Sequence, residues 1–164
     1  AEYTVEVTNA GGSVVSAPAT LAVEPAAPSE SRLLNISSRG FIGTGESIMI
    51  PGFVISSEGP KTLLVRAAGP ALAALGVEGA LPDPILKIFR EGENDPILVN
   101  DDWGENGDGE AIAAAAGQLG AFTFPEDSAD AALVVTLAPG AYTVQASDAG
   151  GATGVGLVEV YLLE

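Results

Sequence analysis

Residues 131–163 carry the sequence AALVVTLAPGAYTVQASDAGGATGVGLVEVYLL, and this stretch decides the fold class. Its three apolar runs are separated by segments rich in Gly, Pro and Asp, which are residues that form turns. Apolar and polar side chains alternate along residues 141–147, as they do in a strand that buries one face. The run Leu133-Val134-Val135 is continuous, which is typical of a strand covered on both faces. The stretch therefore predicts three successive antiparallel strands.

The same pattern extends over the rest of residues 32–164. With the strands at 131–137, 141–147 and 155–163, we predict eight strands, the other five at residues 32–38, 46–55, 61–68, 85–90 and 97–100. Ile48-Met49-Ile50 is also predicted either to be covered on both faces or to lie near a crossover. The sequence favours an all-β fold, an antiparallel β-sandwich or jelly roll with one or two short helices.

The two short helices are predicted from their end signals. The first begins with Pro70 at its first position, runs to Leu75 and stops at Gly76. The second covers residues 110–116, with Asp108 as the candidate cap and Gly117 as the stop.

Residues 1–24 predict a separate β-hairpin. Tyr3, Val5 and Val7 alternate with polar residues, NAGGS at residues 9–13 forms the turn, and residues 14–23 return with Pro18 at an edge or bulge. Residues 25–31 are a stiff linker rich in Pro and Ala, and residues 32–164 form the sandwich domain. A two-stranded hairpin is marginally stable in water by itself. It must therefore lie on another surface, in this chain or on another molecule.

The hairpin contains YTVEVTNAGGSV at residues 3–14 and SAPATLAV at residues 16–23. These segments resemble the last two strands of a bacterial immunoglobulin-like domain, a type repeated in large secreted proteins. The resemblance covers about 24 residues and omits the other strands of that sandwich. We therefore expect a donor-type segment that completes another sheet. Its candidate assembly residues are Tyr3, Val5, Val7, Val14, Leu21 and Val23.

Five motifs follow one another in residues 32–164. They are SRG with GTG at 38–40 and 43–45, RAAGPAL at 66–72, DPIL at 83–86, NDDW at 100–103 and APGAYT at 138–143. In this order they resemble a β-sandwich module at the C-terminal ends of large surface proteins of environmental bacteria. They are also distantly similar to the pre-peptidase C-terminal type of sandwich. The resemblance implies a non-catalytic accessory or surface module and supplies no catalytic residues.

A short pattern occurs twice, with an offset of 139 residues. YTV at residues 3–5 with NAGGS at 9–13 recurs as YTV at 142–144 with DAGGA at 148–152. Two terminal hairpins of sandwiches can resemble each other without further meaning. The alternative interpretation is that the first hairpin fits a place in a sheet suited to such a strand pair.

Composition excludes several classes of function. The chain has no His and no Cys, so it can form neither a nucleophile paired with His nor a metal site with His or thiolate ligands. With 6 basic and 22 acidic residues its formal charge is −16, which is unsuited to binding nucleic acid. No apolar run reaches the roughly 18 residues of a membrane span. We expect a protein that is not an enzyme and that lies outside the cell or on its surface.

The acidic segment NDDWGENGDGE at residues 100–110 is rich in oxygen donors, which calcium prefers. The candidate ligands are Asp101, Asp102, Asn106 and Asp108, although their spacing is not that of an EF-hand. Alternatively this is a solvated loop whose Asp and Asn residues serve turns. Trp103, the only Trp, is expected to plug the core beneath the loop rather than to form a carbohydrate platform.

Three hypotheses of function remain open. The first is a structural subunit of an extracellular filament or surface assembly, which binds copies of itself head-to-tail by docking its N-terminal strands on a neighbour. The alternative is a non-catalytic carbohydrate- or envelope-binding module of a large secreted bacterial protein. The third is a spacer stabilised by calcium, without any other ligand.

Overall fold

The computed structural model describes residues 2–20, 34–56 and 59–163, without the side chain of Asn106. The chain divides into two units, Ala1–Arg32 and Leu33–Glu164. The linker predicted at residues 25–31 lies outside the described residues, as do the assembly candidates Leu21 and Val23.

The first unit is one long hairpin built from two strand pairs. Its strands are β1 (Glu2–Tyr3), β2 (Glu6–Asn9), β3 (Gly12–Val15) and β4 (Ala19–Thr20). Strand β1 pairs with β4 and β2 with β3, both antiparallel. Tyr3 lies opposite Ala19 but Glu6 lies opposite Val15, so the returning strand holds one extra residue between the two pairs. Pro18 lies in this bulge, as the sequence predicted.

In its described residues, 34–56 and 59–163, the second unit contains eight strands and two α-helices. The strands are β5 (Asn35–Ile42), β6 (Gly52–Ile55), β7 (Lys61–Ala68), β8 (Pro84–Arg90), β9 (Leu98–Asn100), β10 (Ala131–Leu137), β11 (Gly140–Asp148) and β12 (Gly154–Leu163). The helices are α1 (Pro70–Ala74) and α2 (Gly109–Leu119). In the part of the chain that the structure describes, neither helix has the length and apolar character needed to cross a bilayer.

The eight strands form two four-stranded antiparallel sheets, which confirms the predicted all-β sandwich. The first sheet has the order β10-β7-β12-β5 and the second has the order β6-β11-β8-β9. Alternation of side chains directs one face of each sheet towards the other, where apolar residues form the main core. Its fully buried members include Ile42, Val65, Ile88, Val144 and Val158.

A second apolar layer covers the other face of the first sheet. Leu64, Ala132 and Tyr161 project from the strands on this side. Both helices and the segment that follows α2 pack against them, chiefly through Leu72, Ile112 and Phe124. The first sheet is therefore covered on both faces, which explains the continuous apolar run at Leu133-Val134-Val135 in β10.

The second layer also buries one ion pair. Arg66 in β7 lies directly opposite Glu159 in β12, and their side chains are 1% and 5% exposed. Arg66 Nε lies 3.2 Å from Glu159 Oε2 without the angle of a hydrogen bond, whereas Arg66 Nη1 donates to the Phe122 carbonyl at 2.7 Å. The rings of Phe122 and Phe124 lie on the guanidinium at 4.4 and 4.0 Å, a cation–π arrangement.

Glu159 is held by two hydroxyl groups in addition to Arg66. Its Oε1 accepts hydrogen bonds from Tyr161 at 2.8 Å and from Ser37 at 3.2 Å. Burial and the hydrogen bond to Glu159 raise the pKa of Tyr161 to about 12. Burial lowers the pKa of the Arg66 guanidinium, and the charge of Glu159 acts in the opposite direction. The ion pair of Arg66 and Glu159 thus lies inside an apolar layer.

Buried Asp130 fixes the start of α1. Its carboxylate accepts hydrogen bonds from the backbone N–H groups of Gly69 at 2.7 Å and Ala71 at 3.0 Å, and from the Ser128 hydroxyl at 2.7 Å. A side chain on Gly69 would collide with the Leu81 carbonyl, because an added Cβ would lie 2.2 Å from that oxygen. These contacts explain why the RAAGPAL motif needs glycine before proline.

Two of the predicted strands differ clearly from the structure. Residues 46–55 are not one strand, since a 3₁₀ turn occupies Gly45–Ser47 and β6 begins only at Gly52. Ile50 is 50% exposed there, not covered on both faces. The first strand of the sandwich does not end at Ser38 but continues through Gly40 to Ile42.

The second helix differs from its prediction at both ends. It passes through Gly117 and ends at Leu119, followed by Gly120 as the C-cap in the left-handed conformation with φ 68°. Asp108 occupies the N-cap position, but its carboxylate makes no capping hydrogen bond. Its backbone carbonyl instead accepts the N–H of Ile112 at 2.9 Å.

We predict that Arg66→Met lowers the free energy of unfolding by about 3–5 kcal/mol, because it leaves Glu159 buried without a counter-charge. Arg90→Met, the same substitution at an exposed arginine, should change it by less than about 0.5 kcal/mol. Urea denaturation of both variants measures the difference. Equal stability of the two variants would show that the buried pair is not needed to neutralise Glu159.

Candidate functional site

The hairpin has an apolar face that no described residue of its own unit covers. Tyr3, Val5, Val7 and Val14 are 58%, 64%, 66% and 74% exposed. Val7 lies directly opposite Val14, and Tyr3 and Val5 follow at period two, so the four side chains share one face. The hairpin as a whole has no buried residue between positions 2 and 20.

The repeated pattern of the sequence is also repeated in the turns. Asn9 Oδ1 accepts the N–H of Gly11 at 2.8 Å, and Asp148 Oδ1 accepts the N–H of Gly150 at 3.0 Å. The next residue has positive φ in each turn, 135° at Gly12 and 80° at Gly151. The offset of 139 residues therefore relates two turns of the same construction.

The two copies differ in burial. Tyr142, Val144 and Ala146 in β11 are 3%, 0% and 0% exposed and belong to the main core. Their counterparts in the hairpin are Tyr3, Val5 and Val7, each of which is more than half exposed. A side-chain pattern that fills a sandwich core in one copy thus faces solvent in the other.

The acidic segment is anchored beneath by polar and aromatic contacts. Asn100 is 5% exposed, accepts the N–H of Ala132 at 2.8 Å and donates to the Asp102 carbonyl at 3.0 Å. The Trp103 indole packs on the second layer, with its ring edge towards Phe124, and donates to the Pro125 carbonyl at 3.3 Å. Trp103 is therefore a plug beneath the loop, as predicted.

The predicted calcium ligands are only partly brought together. Asp101 and Asp102 both lie close enough to Asp83 for their charges to interact, and Asp101 also lies close enough to Asp148. Asp108 is exposed at the start of α2 and does not contribute to this group, while the side chain of Asn106 lies outside the described residues. Asp83 and Asp148 were not among the ligands predicted from the sequence. The DPIL motif and the second copy of the turn mark these two positions, but only the fold places them beside residues 101 and 102.

This acidic group raises the pKa of two of its members. For Asp101 the main cause is burial, followed by the charges of Asp102, Glu105 and Asp148. The pKa of Asp83 is raised by burial and then by its acidic neighbours. Asp101 Oδ1 is buried without a hydrogen-bond partner among the described residues.

The group is a candidate for cation binding but not a formed metal site. Within residues 2–20, 34–56 and 59–163, no three acidic side chains have the geometry that holds a metal ion. The Asp148 carboxylate already accepts hydrogen bonds from the backbone N–H groups of Gly150, Ala152 and Asp83, so its oxygens are not free to bind an ion. Calcium binding therefore stays a prediction.

Comparison with known proteins gives a likeness of fold. No family model matches the chain, and no curated protein matches its sequence. The sandwich is similar to a pre-peptidase C-terminal domain. That domain comes from collagenase of Bacillus anthracis; the match has 11% identity and a TM-score of 0.47 and covers 77% of this chain and 89% of that one. The finding agrees with the distant resemblance carried by the sequence motifs. The likeness of the hairpin to immunoglobulin-like strands stays a prediction.

We predict that Asp101→Asn raises the melting temperature by roughly 1–3 °C at pH 7 in the presence of a chelator. A carboxyl group whose pKa is raised by folding destabilises the folded state when it is charged, so this cost is present at pH 7. This cost disappears as the pH falls through the pKa that Asp101 has in the folded protein. The gain in melting temperature of Asp101→Asn should therefore vanish near pH 4. Asp95→Asn, at an exposed position, is the control and should change little.

The same pair of variants tests calcium. If the ion binds this group, millimolar calcium raises the melting temperature of the wild type and of Asp95→Asn but not of Asp101→Asn. If the melting temperature of the wild type is identical in calcium and in chelator, calcium does not bind this group. A lower midpoint for Asp101→Asn in chelator at pH 7 would show that the charged carboxylate of Asp101 does not destabilise the folded state.

Proposed function

We propose that this chain is a non-catalytic structural subunit of an extracellular filament or surface assembly, which joins head-to-tail by docking its N-terminal hairpin on a neighbouring subunit. The observation that carries the proposal is the exposed apolar face of Tyr3, Val5, Val7 and Val14.

The energetics of the hairpin favour a partner. An isolated pair of strands is marginal in water, because it has no second layer against which to bury its side chains. Full burial of one Val side chain contributes about 1.5–3 kcal/mol, so covering the three valines of the face would change a marginal hairpin into a stable one. The buried triad of Tyr142, Val144 and Ala146 supports the proposal that a sandwich can cover such a face.

The symmetry of such a contact leads to a polymer. The hairpin of one subunit and the accepting surface of the next are different patches, so the contact is heterologous. Heterologous contacts that do not close into a ring continue as a fibre. The formal charge of −16 opposes the approach of copies, and the Debye length of about 8 Å at physiological ionic strength limits this repulsion. Assembly should therefore be assayed at that ionic strength or above.

We predict that Val5→Asp abolishes assembly, because it places a charge in the centre of the apolar face. The matched control is Val15→Asp, which adds the same charge on the opposite face of the hairpin beside Glu6. Sedimentation velocity over a range of protein concentrations should give polymers for the wild type and only monomers for Val5→Asp. Val15→Asp should still polymerise, with at worst a smaller polymer fraction than the wild type.

Deletion of residues 1–28 complements this test. The truncated chain should stay folded and should sediment as a monomer at every concentration. A wild type that is monomeric throughout would contradict the proposal and leave the carbohydrate- or envelope-binding module as the hypothesis to test. A truncated chain that loses its fold would show that the hairpin completes its own sandwich.

A further inference from the structure

We propose that the acceptor for the hairpin is the free edge of β5, and that the strand formed by residues 2–9 of a second copy adds to this edge as an antiparallel fifth strand of the first sheet. This inference rests on the proposed function and specifies its partner surface. It follows from three features: an unprotected edge, the direction of its backbone groups, and the distribution of side chains on the two strands.

Among the residues that the structure describes, the edge of β5 is the least protected of the four edges of the two large sheets. At β10, the outward N–H of Ala132 already donates a hydrogen bond to the side chain of Asn100. Strand β9 has three residues, and β6 has four and follows Pro51, which has no N–H. Strand β5 has eight residues and contains no proline. Natural proteins usually block a long edge of this kind, so an open one is a site for strand addition.

The backbone groups of β5 alternate in direction. Leu162 N–H donates to the Leu34 carbonyl at 2.8 Å, which makes these two residues a hydrogen-bonded pair at the start of the β5–β12 ladder. In an antiparallel ladder every second residue then bonds to β12, and the residues between them direct their N–H and C=O groups to the open edge. These outward residues are Asn35, Ser37, Arg39 and Phe41.

The outward residues of β5 also share one side-chain face. Ser37 bonds to Glu159 on the helix-covered face of the sheet, so all four lie on that face. The residues between them face the main core, where Ile42 is buried and Ile36 is 41% exposed at the margin. The two remaining core-facing positions, Ser38 and Gly40, are small, and the Met49 side chain packs beside Gly40.

In the first strand of the hairpin, as in β5, the residues whose backbone groups point outward all have their side chains on one face. Ser16 N–H donates to the Val5 carbonyl at 2.8 Å, so Val5 and, at period two, Val7 bond within the hairpin. The outward backbone groups belong to the residues between them, Thr4, Glu6 and Thr8. Their side chains lie opposite to the apolar face.

Strand addition therefore fixes which faces meet. Outward residues of one strand must pair with outward residues of the other, and paired residues place their side chains on the same side of the sheet. Thr4, Glu6 and Thr8 would join the polar margin of β5. Val5 and Val7 would point to the main core and would extend it past Ser38 and Gly40. A shift of the antiparallel register by one residue would place outward backbone groups of one strand opposite inward groups of the other, and the hydrogen bonds between the two strands could not form.

Charge selects the register. Glu6 is the acidic outward residue within β2, and Arg39 is the basic outward residue of β5. With Glu6 opposite Arg39, Val7 lies opposite Ser38 and Val5 lies opposite Gly40. The pair of Val7 and Ser38 is then a non-hydrogen-bonded pair, whose Cβ atoms lie about 4.5–5.5 Å apart.

Cross-linking tests this register directly, because the natural chain has no cysteine. Full-length Val7→Cys is mixed with isotope-labelled Ser38→Cys under mild oxidation, and the mixed disulfide is quantified by mass spectrometry. The matched control replaces Ser38→Cys with Val99→Cys, on the opposite edge strand β9. We expect at least about tenfold more mixed disulfide with Ser38→Cys, since docking holds the two thiols at a high effective concentration.

A backbone variant tests the edge without any disulfide. Ser37→Pro removes an outward N–H and leaves the ladder to β12 intact, so it should abolish polymers while the fold is kept. Ser37→Ala is its matched control: it loses the same hydroxyl but keeps the N–H, and it should polymerise as the wild type does.

The outcomes separate this inference from the proposed function. Polymers that persist in Ser37→Pro, with equal cross-linking to Ser38→Cys and Val99→Cys, would overturn β5 as the acceptor while head-to-tail assembly stands. A wild type that never polymerises would overturn both. A doubly substituted Val7→Cys/Ser38→Cys chain that closes its disulfide only within one monomer, at every concentration, would also overturn docking between copies.

Discussion

The structure depends on one constraint of the β-strand: the side chain and the backbone hydrogen bonds of a residue alternate together. In β12, which lies between β5 and β7, this alternation directs Val158 to the main core and Glu159 to the helix-covered layer. The same constraint brings Arg66 and Ser37 to either side of Glu159, because all three occupy one row across three strands. The same constraint determines on which side of a sheet the apolar face of the hairpin would lie if the hairpin were added to the edge of that sheet.

Electrostatics shapes the molecule in two opposite ways. In the second layer a single positive charge is enclosed by two Phe rings and a carboxylate, so one of only six basic residues is used in the interior. Around Asp83 and Asp101 negative charges are instead grouped at the surface, and burial adds to their repulsion. Such a group is a local cost to stability, which a cation or a lower pH would relieve.

The sequence predicted those elements that local pattern determines. The strands at Lys61–Ala68 and Ala131–Leu137 have the predicted bounds, because strong alternation or continuous apolar character is closed by clear turn residues. The prediction failed where local signals conflict. Gly117 can stay within α2 because glycine inside a helix costs only about 1 kcal/mol, and Leu119 beyond it gains contacts in the second layer.

The partners of the candidate site could not be predicted, since they are distant in the chain. Residues 83 and 148 reach residues 101 and 102 only through the pairing of β8, β9 and β11. The placement of Glu159 opposite Arg66 likewise depends on the register between β7 and β12, which no local pattern contains. The apolar face of the hairpin, in contrast, was visible in the alternation of Tyr3, Val5 and Val7.

Hydrogen exchange of single backbone amides, recorded by NMR at low and at high protein concentration, tests the central claim most directly. If the hairpin of one copy adds to the edge of β5 in another, the amides of Glu6, Ser37 and Arg39 exchange freely in the dilute protein and become protected together as concentration rises. Unchanged exchange at these three amides, at concentrations where the protein is assembled, would contradict the account.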